Sequence, residues 1–216
     1  MGRALRKEWS FMKIVKVGGS LLYKAKPLLE SLKNLDEEII IIPGGGEFAN
    51  IIRKLDKNYK LNSSTSHKLA IECMDLVGEI YSEISGIKAY RTLFDLKREI
   101  KKEKVAILLP STTLLSTDLA EHSWKVTSDS LSLYIAKFLN VKDVIIATNV
   151  DGIYREGKLL NIINANEIEG LTSVDEAFPT ILKQFKMTAY VVNGLYPERV
   201  INIIKGKNTI CTKIVW

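Results

Sequence analysis

The sequence predicts an α/β protein built on a mainly parallel sheet with helices on both faces. Short β-branched runs alternate with segments whose apolar residues recur at helical spacing, and strands that alternate with helices favour a parallel sheet. Two of the runs end in glycine turns, Gly18-Gly19 and Gly44-Gly45-Gly46. Because right-handed crossovers bring the carboxyl ends of parallel strands to one edge, both turns are expected at that edge, where such sheets bind ligands.

The predicted strands are short runs rich in β-branched residues. We expect strands at residues 12–17, 38–42, 104–109, 143–148, 189–193 and 209–214. The first two lead directly into the glycine turns. Pro110 stops the third, and the fourth leads into a turn at residues 149–152, where Asp and Gly are the turn signal.

The predicted helices lie between these strands. We expect helices at residues 47–55, 65–85, 129–139, 175–186 and 197–204. In the second helix, Met74, Val77 and Tyr81 recur at helix-like intervals. Ser128 is expected to cap the third helix, and Pro197 stands at an early position of the last one, where its fixed φ is tolerated.

Composition indicates one globular domain that spans residues 1–216. Hydrophobic residues make up 46% of the chain and charged residues 26%, which is typical of a folded protein and excludes a disordered tail. The longest apolar runs, such as residues 39–42, are too short to cross a bilayer, so no membrane is expected as a partner. Lys13 and Lys16 interrupt the chain before a signal-peptide apolar region can form, and a cytoplasmic location is expected.

The charge and the rare residue types exclude further classes of protein. The net charge of +6 allows nucleic acid as a partner, but the basic residues are spread along the whole chain, and binding of small phosphate-rich molecules explains the same charge. Cys73 and Cys211 belong to no C-x-x-C pair and are expected to be reduced. His67 and His122 lack metal-ligand spacing, so no metal held by the protein alone is expected.

The glycine turns have the chemistry of an anion site. Glycine at a strand end lets backbone N–H groups approach an anion without interference from a Cβ, and the helix start that follows adds positive potential. Lys16, still on the first strand, can place an ammonium beside the same oxygens. The chain contains no G-x-x-x-x-G-K-[ST] and no G-x-G-x-x-G after a strand, which excludes the Walker-type and dinucleotide-binding signatures.

The segment Thr127-Ser128-Asp129 opens a predicted helix and allows two interpretations. An acidic residue at a helix start commonly complements the helix dipole. Alternatively, Asp129 orients lysines around a transferring phosphoryl group, a reaction that needs cations and donors held in line more than covalent chemistry.

Taken together and in this order, the motifs resemble the amino acid kinase superfamily. The motifs that carry the resemblance are Lys16-Val-Gly-Gly-Ser20, Pro43-Gly-Gly-Gly46, Thr127-Ser-Asp129, the segment from Thr148 to Tyr154, and Val192-Asn-Gly194 leading to Gly206. The resemblance extends over residues 12–214. It implies a three-layer αβα sandwich around one open sheet, with the acceptor bound by the half at about residues 1–140 and the nucleotide by the half at about residues 141–216.

The resemblance also implies ATP with Mg²⁺ as the phosphoryl donor, and roles for particular residues. Lys16 would contact the transferring phosphoryl group, Asp129 would organise the lysines around it, and Lys183 or Lys186 would be the second catalytic lysine. On the nucleotide side we expect Gly18, Gly19, Ser20, Thr148, Asp151 and Tyr154. On the acceptor side we expect Gly44, Gly45, Gly46, Glu47, Asn50, His67, Asp75 and His122. Backbone N–H donors are expected from Gly18, Gly19, Gly44 and Gly45.

Two departures from the superfamily pattern lie on the nucleotide side. Ala177-Phe178-Pro179-Thr180 replaces the usual glycine-rich approach to the second lysine, and Cys211-Thr212 replaces the closing Gly-Thr. Members of the superfamily commonly assemble, so a homo-oligomer is expected by resemblance.

The acceptor side is similar to the small kinases of methanofuran biosynthesis, which convert an aminomethylfuran-methyl phosphate to its diphosphate. The expected acceptor is therefore a small phosphate monoester. An aminomethyl ammonium favours a nearby carboxylate, for which Glu47 or Asp75 is available. A furan ring favours an aromatic or apolar wall, for which Trp124 or Phe48 is available.

The sequence is also compatible with other phosphoryl acceptors. They are uridylate, isopentenyl phosphate and an amino-acid carboxylate, and a non-catalytic nucleotide-binding protein on the same fold is an alternative of a different class. In isopentenyl phosphate kinases, the second glycine turn is followed by a histidine that holds the acceptor phosphate. This chain has Asn50 at that position. His67 or His122 would take over that contact.

Overall fold

The computed structural model describes residues 12–168 and 173–216, and one eight-stranded sheet forms its centre. The strands are β1 (Lys13–Val17), β2 (Ile39–Pro43), β3 (Ala89–Tyr90), β4 (Val105–Leu108), β5 (Asp143–Thr148), β6 (Tyr154–Arg155), β7 (Lys158–Leu159), β8 (Ile162–Asn164), β9 (Thr188–Asn193) and β10 (Thr212–Val215). Their order in the sheet is β3-β4-β2-β1-β5-β9-β10-β8, while β6 and β7 form a separate hairpin. All neighbours in the large sheet are parallel except β9 and β10, which confirms the mainly parallel sheet.

Helices cover both faces of this sheet. Those in the described residues are α1 (Lys26–Lys33), α2 (Gly46–Tyr59), α3 (Ser63–Ser85), α4 (Leu93–Glu103), α5 (Ser111–Thr117), α6 (Ser128–Phe138), α7 (Phe178–Phe185) and α8 (Pro197–Ile204). Two 3₁₀ segments, Gly19–Lys24 and Ala165–Glu167, complete the regular structure. Within residues 12–168 and 173–216, no helix has the length and apolar character needed to cross a membrane.

The apolar core is divided into two clusters by the sheet. Successive side chains of a strand point to opposite faces, so on β2 Ile40 and Ile42 enter one cluster while Ile39 and Ile41 enter the other, and all four are fully buried. Helices α4, α6 and α7 cover the first cluster, α1 and α8 cover the second, and α3 contributes to both. Burial on both faces explains why these strands are continuous apolar runs, and it confirms the three-layer arrangement.

The structure differs from the sequence prediction at several elements. Helices α1, α4 and α5 and the β6–β7 hairpin had no predicted counterpart. The helix predicted from residue 175 begins only at Phe178, because Asp175 lies in the preceding turn and its carboxylate accepts the Phe178 N–H at 3.0 Å. Ser128 was predicted to cap α6, and that is wrong: Ser128 is the first helical residue, and no side-chain cap comes from the preceding Thr127.

Candidate active site

The two glycine turns meet at the carboxyl edge of the sheet. The Gly44 N–H donates to the Val17 carbonyl at 2.8 Å, so this N–H is not available to a ligand. A Cβ added to Gly19 would lie 2.7 Å from both the N and the Cα of Gly46, and one added to Gly44 would lie 2.7 Å from the Gly19 N. Backbone packed this closely leaves room only for glycine. The turns therefore form one site, as their positions after neighbouring strands predicted.

The backbone donors of the site are fewer than the sequence suggested. The Gly18 N–H donates to the Ala147 carbonyl at 2.8 Å, because it continues the pairing between β1 and β5. In the described part of the chain, the N–H groups of Gly19, Gly45 and Gly46 have no hydrogen-bond acceptor. Gly46 is the first residue of α2, where N–H groups normally lack a partner within the helix. The N–H groups of Gly19, Gly45 and Gly46 are thus the ones available to bind an anion.

A buried ion pair stands beside these donors. The Lys16 ammonium lies 2.5 Å from the Asp129 carboxylate, and only 5% of Lys16 and 9% of Asp129 is exposed. Lys16 comes from β1 and Asp129 from the first turn of α6. A Cβ on Gly18 would lie 3.5 Å from the Lys16 Nζ, which places the ammonium next to the first glycine turn. Asp129 therefore holds a cation at the point where phosphate oxygens would bind.

Asp175 positions α6, and the sequence analysis did not identify it as a site residue. One of its carboxylate oxygens accepts the N–H and the hydroxyl of Thr127 and the N–H of Ser130, each at 2.9 Å. The other accepts the Ser130 hydroxyl at 2.5 Å and the Phe178 N–H. The carboxylate of Asp175, which follows Ser130 by 45 residues, thus takes the role of the N-cap of α6.

The same carboxylate joins α6 to α7. It accepts hydrogen bonds from residues at the first turns of both helices, and the Ala177 N–H donates to the Lys125 carbonyl at 3.1 Å nearby. Burial is the main cause that raises the pKa of Asp175, the charge of Asp129 adds to it, and the hydrogen bonds from Ser130 and Thr127 oppose it. Asp129 and Lys183, one on each helix, are therefore held in a fixed relation.

The predicted nucleotide-side residues flank the ends of β1 and β5. The hydroxyls of Ser20 and Thr148 are 3.3 Å apart, so the structure brings these two residues together. Asp151 accepts from the Asn193 amide at 3.0 Å and from the Arg199 guanidinium at 2.6 Å. The hydrogen bond from Asn193 is the first cause that lowers the pKa of Asp151, and Arg199 also lowers it. Asp151 thus fixes the turn after β5.

Tyr154 stands apart from these contacts. It is half-exposed on the β6–β7 hairpin and lines an open cavity of about 570 Å³ with Leu160, Ile163 and Asn166. This volume is in the range of pockets that bind small organic ligands.

The two candidate second lysines have different surroundings. The Lys183 ammonium donates to the Asn166 side chain at 2.7 Å and is exposed, in the last turn of α7. Lys186 follows α7 in the left-handed conformation, and its ammonium lies 5.3 Å from the centroid of the Trp216 ring. Asn166 also lines the Tyr154 cavity. Lys183 therefore lies beside the Tyr154 cavity, while Lys186 packs against the C-terminal residue.

The predicted acceptor residues Glu47 and Asn50 lie on α2, and Asp75 lies on α3. Glu47, at the start of α2, accepts the Tyr23 hydroxyl at 2.5 Å, and Asn50 is exposed on the same helix. Asp75 is buried on α3 and accepts the Ser111 N–H at 3.0 Å and the Ser111 hydroxyl at 2.5 Å. Asp75 thus fixes the start of α5, and Arg91 also contacts it. Both of its oxygens are already in use, which leaves Asp75 little capacity for a ligand.

The two histidines are stacked on each other. The ring centroids of His67 and His122 are 4.7 Å apart. Both nitrogens of His122 have partners, the Ser64 hydroxyl at 2.8 Å and the Asp118 carboxylate at 2.7 Å. Burial is the first cause that lowers the pKa of His67, the neighbouring His122 also lowers it, and Asp118 opposes the shift. His67 is therefore neutral at pH 7, since its ordinary value is 6.5.

The carboxyl edge of this α/β sheet holds a buried ammonium among backbone N–H groups that have no acceptor in the described residues, an arrangement suited to bind phosphate oxygens. The chain belongs to the amino acid kinase family, whose sequence model matches residues 12–200. It is 70% identical to the [5-(aminomethyl)furan-3-yl]methyl phosphate kinase of Methanocaldococcus jannaschii, over 94% of this chain and 98% of that protein.

Solved structures confirm the fold. Uridylate kinase from Archaeoglobus fulgidus has a TM-score of 0.69 at 19% identity, and the match covers 94% of this chain and all of that one. The isopentenyl phosphate kinase from T. acidophilum has a TM-score of 0.61 at 20% identity, with 95% and 100% covered.

Replacing Asp175 tests its role in holding α6. In Asp175→Asn an NH₂ group replaces one carboxylate oxygen and cannot accept a hydrogen bond. The Thr127 or Ser130 donors that bind that oxygen therefore lose their partner. We expect the free energy of unfolding in urea to fall by roughly 2–3 kcal/mol, with a decrease in turnover. The matched variant Asp36→Asn, at a highly exposed carboxylate, should change stability by less than about 0.5 kcal/mol. Equal effects of the two substitutions would contradict the role of Asp175.

The lowered pKa of His67 predicts a pH dependence of stability. The unfolded chain binds a proton on this residue at a higher pH than the folded chain does, so stability is lost as the pH falls through about 6.5. Urea unfolding at about pH 7.5 and about pH 5.5 should show a smaller loss in His67→Gln than in the unsubstituted protein. Identical losses would show that His67 is not the group responsible.

Proposed function

We propose that this protein is an ATP-dependent kinase that converts a small phosphate monoester to its diphosphate, and that the acceptor is [5-(aminomethyl)furan-3-yl]methyl phosphate. One structural observation carries the reaction class: the buried Lys16–Asp129 pair lies beside two touching glycine turns whose N–H groups are free. The acceptor is proposed from the 70% identity, over nearly the whole of both chains, to the kinase of that name.

The geometry accounts for phosphoryl transfer by charge neutralisation. In the transition state negative charge is spread over the phosphoryl oxygens, and fixed donors and cations stabilise it. Lys16 and the N–H groups of Gly19, Gly45 and Gly46 are rigidly placed to do so. The attacking atom of a phosphate acceptor is already an anionic oxygen, so the reaction requires no general base. Lys183 is the proposed second catalytic lysine, on the helix that Asp175 ties to Asp129.

ATP and Mg²⁺ enter this proposal together, as substrate. Mg²⁺ is commonly bound through one or two carboxylates and the substrate phosphates rather than by a cage of protein ligands. Within residues 12–168 and 173–216, no group of three His, Cys, Asp or Glu side chains is placed to hold a metal ion. The cavity beside Tyr154 is the proposed place of the nucleoside, with Thr148 and Asp151 at its phosphate end. We place the protein in the cytoplasm, where ATP is supplied.

The proposed function treats residues 1–216 as one kinase domain. Its acceptor half extends to about residue 140 and its nucleotide half follows. In support, β1 of the first half pairs directly with β5 of the second within one sheet.

The role of Lys16 can be tested by removing its charge. Lys16→Ala should lower kcat by roughly 10²–10³-fold or more, because a preorganised cation is lost from the transition state. It also leaves Asp129 buried without a partner, which costs about 3–5 kcal/mol of stability. The double variant Lys16→Met/Asp129→Asn removes both charges and should recover stability while staying inactive.

The control for this test is Lys13→Ala, on the same strand. Lys13 is partly exposed, 4.0 Å from Asp143, and should be dispensable for turnover. ADP release would be measured with [5-(aminomethyl)furan-3-yl]methyl phosphate, uridylate, isopentenyl phosphate and a carboxylate acceptor. Turnover of a carboxylate alone, or full activity of Lys16→Ala, would overturn the proposed function.

We also propose that the protein forms a homo-oligomer through the helices of the acceptor half. Ile51, Leu55 and Tyr59 form an exposed stripe along α2, which contributes no buried side chain of its own. Leu76 and Ile80 are exposed on α3, which packs beside α2. Exposed apolar side chains grouped on neighbouring helices support an interaction site there.

Placing a charge in this stripe tests the proposed assembly. Ile51→Glu should shift the protein towards monomer in light scattering, because a buried, unpaired carboxylate opposes association. Phe94→Glu, at a still more exposed apolar residue on α4, should leave the assembly unchanged. A monomeric unsubstituted protein, or the same assembly in Ile51→Glu, would refute the proposed interface.

A further inference from the structure

A small cavity lies between α2, the start of α3 and the loop that precedes α6. Its volume is about 40 Å³, and its lining includes Asp56, Ser66, His67, Trp124 and Val126. A cavity needs about 10–15 Å³ of such space to hold one water, so this one accommodates a group of two or three heavy atoms but no ring.

Ser66 and His67 are two buried polar side chains of this cavity. Ser66 is 3% exposed, and its hydroxyl is among the buried side-chain atoms without a hydrogen bond in the described structure. His67 is 8% exposed, and its ring stacks on His122 while neither ring nitrogen is given a hydrogen-bond partner in the described residues. Buried polar groups are almost always satisfied in a folded protein. The buried Ser66 hydroxyl without a partner, beside an imidazole that lines the same cavity, indicates that a ligand completes it.

The cavity adjoins the active site. Val126 precedes Asp129 by three residues and leads directly into the first turn of α6. Ala70, which also lines the cavity, has its carbonyl oxygen 3.4 Å from the position of a Cβ on Gly45. A small acceptor whose phosphate lies at the glycine turns can therefore place its far end here.

The lining has the polarity to bind a cation. One carboxylate oxygen of Asp56 accepts the Trp124 indole N–H at 2.6 Å, which fixes the group, and its other oxygen has no hydrogen-bond donor within residues 12–168 and 173–216. No Lys or Arg is part of the lining, although the Arg53 guanidinium lies 4.6 Å from the centroid of the Trp124 ring. Because the pKa of His67 is lowered by burial, its ring is neutral and offers a nitrogen lone pair.

We propose that this cavity binds the primary ammonium of the acceptor, with Asp56, Ser66 and His67 as the three hydrogen-bond acceptors for its three N–H donors. The inference rests on the proposed function, since the aminomethyl group belongs to the acceptor proposed there. In this arrangement Asp56, rather than Glu47 or Asp75, contacts the ammonium of the acceptor. His67 contacts the ammonium rather than the acceptor phosphate. The furan ring of the acceptor then lies outside the cavity, against the Trp124 side chain.

The experiment compares two acceptors that differ only at this end. They are [5-(aminomethyl)furan-3-yl]methyl phosphate and its 5-methyl analogue, which lacks the nitrogen. The unsubstituted protein should prefer the aminomethyl compound by roughly 10- to 100-fold in kcat/KM, the usual range for hydrogen bonds to a charged group. Asp56→Asn, which keeps the Trp124 contact but presents an NH₂, should remove most of this preference by raising KM for the aminomethyl compound alone.

Ser66→Ala provides a readout that a structural role would not give. The hydroxyl has no hydrogen-bond partner among the residues that the structure describes, so its removal should leave Tm unchanged or raise it. It should nevertheless raise KM for the aminomethyl compound by roughly 3- to 10-fold. Asp36→Asn, at a highly exposed carboxylate, serves as the control and should change neither KM nor Tm.

The outcomes separate the two proposals. If the unsubstituted protein phosphorylates both furan compounds with equal kcat/KM, or if Asp56→Asn and Ser66→Ala keep its preference, the ammonium cavity is wrong while the proposed function stands. If neither furan compound is phosphorylated, the proposed function fails and the cavity inference fails with it. Loss of preference in both variants, with the activity on the 5-methyl analogue and the KM for ATP retained, supports the inference.

Discussion

The contact between the Lys16 ammonium and the Asp129 carboxylate is the constraint on which the rest of the structure depends. A cation with so little exposure loses most of its hydration, and its burial is tolerable only because a carboxylate lies 2.5 Å away. The two partners come from elements that are far apart in the sequence, β1 and α6. The fold must therefore hold α6 at a fixed position above the end of β1, and Asp175 accomplishes this from a third segment of the chain.

The sheet and the glycine turns complete the arrangement. Residues buried on both faces make the central strands rigid, and their carboxyl ends carry the turns into contact with each other. Two of the four expected glycine N–H groups are used to extend strand pairing, and this gives the turns their fixed shape. The other two, of Gly19 and Gly45, and the N–H of Gly46 are unpaired in the described chain, so they can meet a ligand without reorganisation.

The sequence predicted the parts of this structure that depend on local patterns. The β-branched runs before Gly18 and Gly44 identified the sheet, and the spacing of the motifs indicated the family. It could not predict that Asp175 caps a helix 45 residues earlier, because that bond depends on how α6 and α7 pack. Nor could it show that Asp75 is occupied by Ser111 while Ser66 is left unpaired, since both facts follow from neighbours brought together by tertiary structure.

The bridge made by Asp175 has a consequence for how sequences of this family can be recombined. A chimera that takes the chain up to residue 140 from this protein and the remainder from a relative separates the carboxylate from the Thr127 and Ser130 donors that match it. The two halves look like modules because their strands pair regularly, but the helices that carry Asp129 and Lys183 are joined by a side-chain network. Modular exchange would succeed only where both ends of that network are inherited together.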